Sequence, residues 1–167
     1  MFELKKLSPS AVEAALERAI HYRVLNEPAE AESICRDVLA VDPSSQPAAI
    51  TLLLALTDQF PRGLGRRARE ARRVALSLGG DYDKTYYSGI IAEREAKCLY
   101  HQRSPGSGHL AYDRFVEAME HFEKAEALRL EGNDDSLLRW NTCARFIEAH
   151  ADIEPEPEEQ ATPHMLE

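Results

Sequence analysis

A chain of 167 residues, 44 % of them hydrophobic, is long enough and apolar enough to close a core, which excludes wholesale disorder. Its longest apolar cluster, residues 48–56, is broken by Thr51 and falls well short of the ~20 residues that span a bilayer. The net charge of −9 is uneven: Asp152, Glu154, Glu156, Glu158, Glu159 and Glu167 leave only −3 for residues 1–151, a balance that makes nucleic acid a poor partner, since affinity there rests on neutralising phosphates.

The opening Met1-Phe2-Glu3-Leu4-Lys5-Lys6 has no signal-peptide layout, so a cytoplasmic location is the default expectation. Ser10 and Glu13 have the spacing of a capping box, and a first helix is expected just after Ser10. Its stripe is Val12, Ala15, Leu16, Ala19 and Ile20. Pro28 suits the first turn of a second helix, whose stripe of Ala31, Ile34, Cys35, Val38 and Leu39 stops at Asp42-Pro43. The third helix is expected over about residues 47–59. Ile50, Leu52, Leu53, Leu54 and Leu56 leave it almost no polar face, so it is expected to be buried on several sides, with apolar surface to spare.

After the break at residues 60–63, a fourth helix over about residues 64–78 turns Ala68, Ala71, Ala75 and Leu78 inward and its arginines outward, and ends at Gly79-Gly80. Asp81 or Asp83 is placed to cap a fifth helix reaching about His101 and carrying Tyr86, Tyr87, Ile90, Ile91 and Leu99. Residues 103–108 read as a loop. The sixth helix carries Ala111, Phe115, Ala118, Met119, Phe122 and Ala125 and is expected to end at Gly132. Asn133, Asp134, Asp135 and Ser136 are all good caps for a seventh, with Leu137, Trp140, Ala144 and Ile147. No segment alternates as a half-buried strand does. Residues 1–151 form one helical domain in this reading. From Asp152 onward, proline, charge and low hydrophobicity predict a disordered acidic tail, and the closing Leu166-Glu167 is compatible with a cloning remnant.

The even-numbered helices share a spacing. Ala31, Cys35 and Val38 recur as Ala71, Ala75 and Leu78, and again as Ala118, Phe122 and Ala125. A small residue lets a helix approach its partner closely, and the next two positions lie on the same face. On these residues the chain resembles a tetratricopeptide-repeat protein. The first unit matches best, with Ala19 and Tyr22 on one helix, Ala31 and Val38 on the next, and Pro43 closing it. Residues 119–128 also read like a second helix of that family. The matching alanines lie 40 and 47 residues apart, against a family period of about 34. The resemblance implies an all-α fold, a right-handed stack of antiparallel helix pairs in about three degenerate units plus a capping helix. It also implies a concave groove, lined by the first helix of each pair, that binds a segment of a partner protein.

Constellations for chemistry are missing. No Glu-x-x-His pair, HExxH, G-x-S-x-G or phosphate loop occurs. Glu17/His21 and Glu117/His121 are four apart and read as solvated pairs rather than metal half-sites. Cys35, Cys98 and Cys143 form no CxxC and read as small buried hydrophobes. No metal, cofactor or enzymatic activity is therefore expected. Arg62, Arg66, Arg67, Arg69, Arg72 and Arg73 make a basic run opposed only by Glu70; it reads as the solvated back of a helix or as a docking face for an acidic protein segment. Trp140 is expected to pack in the last helix. Arg94, Lys97 and His101 on the fifth helix, with Asn141 and Arg145 on the seventh, are the candidate partner contacts. The leading expectation is an adaptor, scaffold or chaperone-like module for another protein or peptide segment, acting as a monomer or homodimer. The alternatives are a homo-oligomeric structural protein joined through the apolar third helix, and an enzyme or metal protein whose site is assembled from distant residues.

Overall fold

The computed structural model describes residues 2–157, among which there are seven α-helices and no strand. They are α1 (Val12–Val24), α2 (Pro28–Val41), α3 (Gln46–Asp58), α4 (Leu64–Ser77), α5 (Asp81–Gln102), α6 (Ser107–Leu128) and α7 (Asp135–Glu148). The all-α class follows the periodicity of the sequence. No helix among the described residues is long and apolar enough to cross a membrane.

Several helix ends differ from expectation for local reasons. Ser10 lies inside a 3₁₀ turn, Pro9–Ala11, that runs directly into α1, so the expected capping box does not form and no side chain caps that helix. Ser45 caps α3 by accepting the Ala48 N–H at 3.4 Å. Gly80, at φ +84°, occupies the N-cap of α5. Asp81 and Asp83 instead sit in the first turn, where a carboxylate meets the positive end of the helix dipole. α6 stops at Leu128 because Arg129 turns to extended backbone, well before Gly132. At α7 the N-cap is Asp134, and the Asn133 Oδ1 accepts the Asp135 N–H at 3.1 Å.

Each helix packs on the next in the chain, and beyond that α1 touches α3 and α3 touches α5; no comparable contact joins α2 to α4 or α4 to α6. α1, α3 and α5 are therefore more closely packed on one another than the even-numbered helices are. α1, α3 and α5 begin at Val12, Gln46 and Asp81, spacings of 34 and 35 residues. The third pair is longer because α5 and α6 each run 22 residues, joined by a short loop at residues 103–106. The longer alanine spacing in that pair comes from the helices themselves.

All nine positions of the recurring small–apolar–apolar spacing are buried, from Ala31, Cys35 and Val38 through Ala118, Phe122 and Ala125. One core cluster joins α1 to α5 and a second joins α5 to α7, with Leu54 and Tyr87 packed against both. Burial pushes the Cys35 thiol up to about 11 and the Cys143 thiol up to about 12, as expected for inert core cysteines. Leu52, Leu53 and Leu56 of α3 are buried in the first cluster, and none of the exposed large hydrophobic residues lies on α3. The apolar surface expected to spare on that helix for a homodimer is thus covered within one chain.

The domain boundary also moves. Ile153 is 4 % exposed and packs in the second cluster. The Tyr100 hydroxyl donates to Asp152 Oδ1 at 3.1 Å, and His109 Nδ1 lies 2.8 Å from the Glu154 carbonyl. Gly108 permits this return: a Cβ there would stand 2.0 Å from the Asp152 carbonyl oxygen. Residues 152–154 therefore belong to the helical body, not to a disordered tail. Glu158, Glu159 and Glu167 lie outside the described residues.

Two glycines test the packing in opposite directions. A Cβ on Gly89 would lie 2.6 Å from the buried Phe122 ring, whereas nothing lies within 4 Å of one on Gly65. Gly89→Ala is expected to lower stability by about 1–3 kcal/mol despite its better helix propensity. Gly65→Ala, free of any clash, is expected to raise it by up to ~1 kcal/mol. Denaturant unfolding midpoints of both variants check the contrast.

Candidate functional site

The C-terminal ends of α3 and α5 bound a cleft of about 390 Å³, lined chiefly by Thr57, Asp58, Phe60, Pro61, Arg94, Lys97, Cys98 and His101. Its apolar wall exists because α3 stops at Asp58 and the chain turns through Phe60–Arg62, with Phe60 itself buried. The turn is locked from behind by Gln59. Its amide donates to Glu32 Oε2 at 2.7 Å and to the Ala55 carbonyl at 3.1 Å, while Arg67 donates to its Oε1 at 3.2 Å.

Fixed charges run across the odd-numbered layer. Arg23 of α1 donates to Asp58 Oδ2 at 2.7 Å. Arg94 of α5 donates to Asp58 Oδ1, to the Thr57 hydroxyl at 2.6 Å and to the Leu54 carbonyl at 3.3 Å. Glu93 of α5 is fully buried, and accepts from Lys97 at 2.5 Å and from Arg139 of α7 at 3.3 and 3.4 Å. Successive odd helices are thus bridged by ion pairs: α1 to α3, α3 to α5, α5 to α7. Asp58 and Glu93 each hold two cations, so these two clusters carry a local surplus of positive charge on a chain whose net charge is −9. Burial pulls the Arg94 guanidinium down from the usual arginine range, against the pull of Asp58. Burial acts the same way on Arg139, but Glu93 and the Tyr86 hydroxyl outweigh it and hold that group up.

Of the five sequence-predicted contacts, Arg94, Lys97 and His101 meet in this cleft. Only His101 is exposed. Arg94 and Lys97 form its wall and are already engaged, and the Lys97 ammonium also lies 5.7 Å above the Phe146 ring. Asn141 lines a different cleft with Glu123, Glu126, Leu137 and Trp140, and Arg145 is exposed on α7. The structure does not bring these two to the first three. Trp140 is half-buried and packs in the second cluster, its indole N–H donating to Glu123 Oε1 at 3.0 Å. Asp58, Thr57 and Phe60 were missed in the sequence. Asp58 and Arg23 are separated by 35 residues, and only the Glu93/Lys97 spacing of four was visible locally.

The basic run divides as well. Arg72 pairs with Glu95 of α5 at 2.5 Å, and Glu70 pairs with Arg36 of α2 at 2.7 Å rather than with its neighbours. Arg67 is half-buried against Gln59. Arg62, Arg66, Arg69 and Arg73 are exposed. Glu17 and His21 make no pair, and Glu117 pairs with Arg114 instead of His121. Burial lowers the His121 pKa. No group of three His, Cys, Asp or Glu among the described residues is arranged to hold a metal ion. Comparisons of the chain with protein-family models, with curated proteins and with solved structures find no match.

Asp58 holds two guanidiniums that are each mostly covered, with side-chain exposures of 21 % and 23 %. Asp58→Ala leaves both cations adjacent and uncompensated, and is expected to cost about 1–3 kcal/mol. Chemical denaturation at two salt concentrations reads the loss, with salt softening it by screening.

Glu95 behaves oppositely. It is 5 % exposed, and burial raises its pKa above 4.5 despite the opposing pull of Arg72. The folded chain therefore holds this proton more tightly than the unfolded chain. Its contribution is most favourable in acid and declines as pH rises from about 4.5 through the folded value. Glu95→Gln is expected to remove that decline and to leave the protein at least as stable near neutrality, since the half-exposed Arg72 can turn to water. Stability measured against pH for parent and variant checks the sign.

Proposed function

We propose that this chain is a protein–protein interaction module built from tetratricopeptide-like helix pairs, an adaptor, scaffold or chaperone-like protein that binds a partner's segment across its odd-numbered helices. The observation that carries the reading is the cleft between α3 and α5, where a partly apolar pocket of about 390 Å³ adjoins surplus fixed cations. Apolar contact supplies affinity there, and the ordered charges orient an acidic or carbonyl-rich segment.

The helix starts 34 and 35 residues apart support the family reading, as does the burial of the repeated small–apolar–apolar positions. α1 packs on α3 and α3 on α5 more closely than α2 does on α4, which an ion pair between Arg36 and Glu70 joins. Helices on the inside of a curved stack lie closer together than those outside, so the odd layer is the concave side of such a stack.

The test is selection of displayed random peptides on the intact protein, followed by titration of the enriched sequences. Binding is expected to fall about tenfold or more in a His101→Glu, Pro61→Glu variant, which alters only exposed positions, and to be unchanged in a variant of the exposed Lys124 of α6, Lys124→Glu, which lines no part of the cleft. No enrichment, or peptides indifferent to the cleft variant, would sink the reading.

A further inference from the structure

Four guanidiniums have no role within the fold. Arg62, in the turn before α4, and Arg66, Arg69 and Arg73 on α4 are exposed. None makes an ion pair or side-chain hydrogen bond among the described residues, whereas the other two arginines of the run are held by Gln59 and Glu95. Spacings of three and four place Arg66, Arg69 and Arg73 on one face of α4. This arrangement opposes the helix itself. Like charges four apart destabilise a helix, and cations in its first turn meet the positive end of its dipole. Yet α4 carries Arg66 and Arg67 near its start, no acid in its first turn and no base in its last. Glu70, the one acid in the run, is turned toward α2.

Beside the stripe lies a partly apolar cleft of about 330 Å³ between α4, α5 and α6, where Leu64, Ala68, Leu99 and Leu110 stand among the charged Arg72, Glu95, Asp113 and Arg114. Leu110 is 53 % exposed. Arg72 borders both this cleft and the arginine face. Gly65 lies at the shared rim, with nothing within 4 Å of a Cβ built on it, so the rim is open.

We infer that this outer face docks an acidic amphipathic segment of a partner protein, with one large apolar side chain in the cleft and its carboxylates along Arg62, Arg66, Arg69 and Arg73. An unpaired cation stripe calls for an anion, and the adjoining apolar cleft calls for a side chain that nucleic acid does not have. α4 also offers no aromatic platform for stacking bases. A bilayer would meet a flat apolar face rather than a single-residue cleft. The site shares no lining residue with the cleft of the proposed function and does not depend on it.

Fluorescence anisotropy on the full chain tests the assignment with four probes: a short acidic helical peptide carrying leucines on one face, the same peptide with serine for leucine, a single-stranded RNA, and vesicles containing phosphatidylserine. The leucine peptide is expected to bind about tenfold tighter than the serine peptide, with an affinity that falls as salt rises. The Arg66→Glu, Arg69→Glu, Arg73→Glu variant is expected to weaken it by about tenfold or more. Leu110→Ser is expected to erase the preference for leucine. The variants should keep the parent's circular dichroism, and the unfolding midpoint of the triple variant should not fall, since it removes a cation from the first turn of α4. Equal binding of the two peptides, undiminished binding by the triple variant, or tighter binding of RNA or vesicles than of the leucine peptide would overturn the assignment.

Discussion

Small side chains at the helix crossings set the dimensions of everything else in this molecule. Ala19, Ala31, Ala71, Ala75, Ala118 and Ala125 are all fully buried, and each lets a neighbouring helix come closer than a larger residue would. Gly89 takes this furthest, since the Phe122 ring occupies the space of its missing side chain. Close approach is also what brings Asp58 within reach of both Arg23 and Arg94. One carboxylate at the end of α3 can bridge three helices only if those helices are already near one another. The ion pairs therefore follow from the packing, and their contribution is to fix which side chains face the cleft rather than to drive association of the helices.

α5 links the two layers. Glu93 and Glu95, two residues apart on this helix, are both buried, yet they find partners on different sides: Lys97 and Arg139 for the first, Arg72 of α4 for the second. A buried carboxylate carries a desolvation cost that its partners must offset. Glu93 has two cations in contact. Glu95 has one, itself 40 % exposed along its side chain, and its raised pKa reflects that incomplete compensation. Such pairs add little to stability against well-packed apolar residues, but they penalise any slip of α5 against α4 or α7, which would leave a carboxylate buried alone. They act on register.

Most of the fold could be read from the sequence because the signals that make it are local. Apolar residues at helical spacing, Pro28 at a helix start and glycines in the breaks each act over a few residues, and the helix count and the buried faces followed from them. The recurring spacing of Ala31, Ala71 and Ala118 gave the packing faces as well. What escaped the sequence was decided at long range. Ser10 and Glu13 have capping-box spacing, but a 3₁₀ turn begins one residue earlier. Ile153 sits among glutamates and prolines that read as a disordered tail, and only the gap left by Gly108, 45 residues earlier, allows it to return to the core. The cleft was half legible. Arg94, Lys97 and His101 share a helix face, so their grouping was visible. Asp58, Thr57 and Phe60 come from another helix and carry no local mark of their partners. Asn141 and Arg145 share a helix with Trp140, but which of two clefts a face of α7 joins depends on where α6 lies.

The two layers differ in how far their charges are satisfied, and that difference separates their roles. On the odd-numbered layer the guanidiniums of Arg23, Arg94 and Arg139 are all hydrogen-bonded to carboxylates. Such groups are pre-organised, so a bound segment would meet a surface that loses little side-chain entropy on binding. The arginine stripe on α4 is the reverse: its side chains have no partner among the described residues, and ordering them on a partner protein is costly. A contact there gains more from charge steering and speed of encounter than from tight fit. Arginines that served only to keep the helix soluble would more favourably lie in its last turn or beside an acid four residues away. α4 has none in its last turn, and Glu70, four residues after Arg66, pairs with Arg36 of α2 instead. The row of cations along α4, beginning in its first turn and lying next to a partly apolar cleft, is thus a local cost that the described residues leave uncompensated. Nothing among the described residues pairs with these charges, and an acidic amphipathic segment is the simplest chemistry that satisfies both the stripe and the cleft at once.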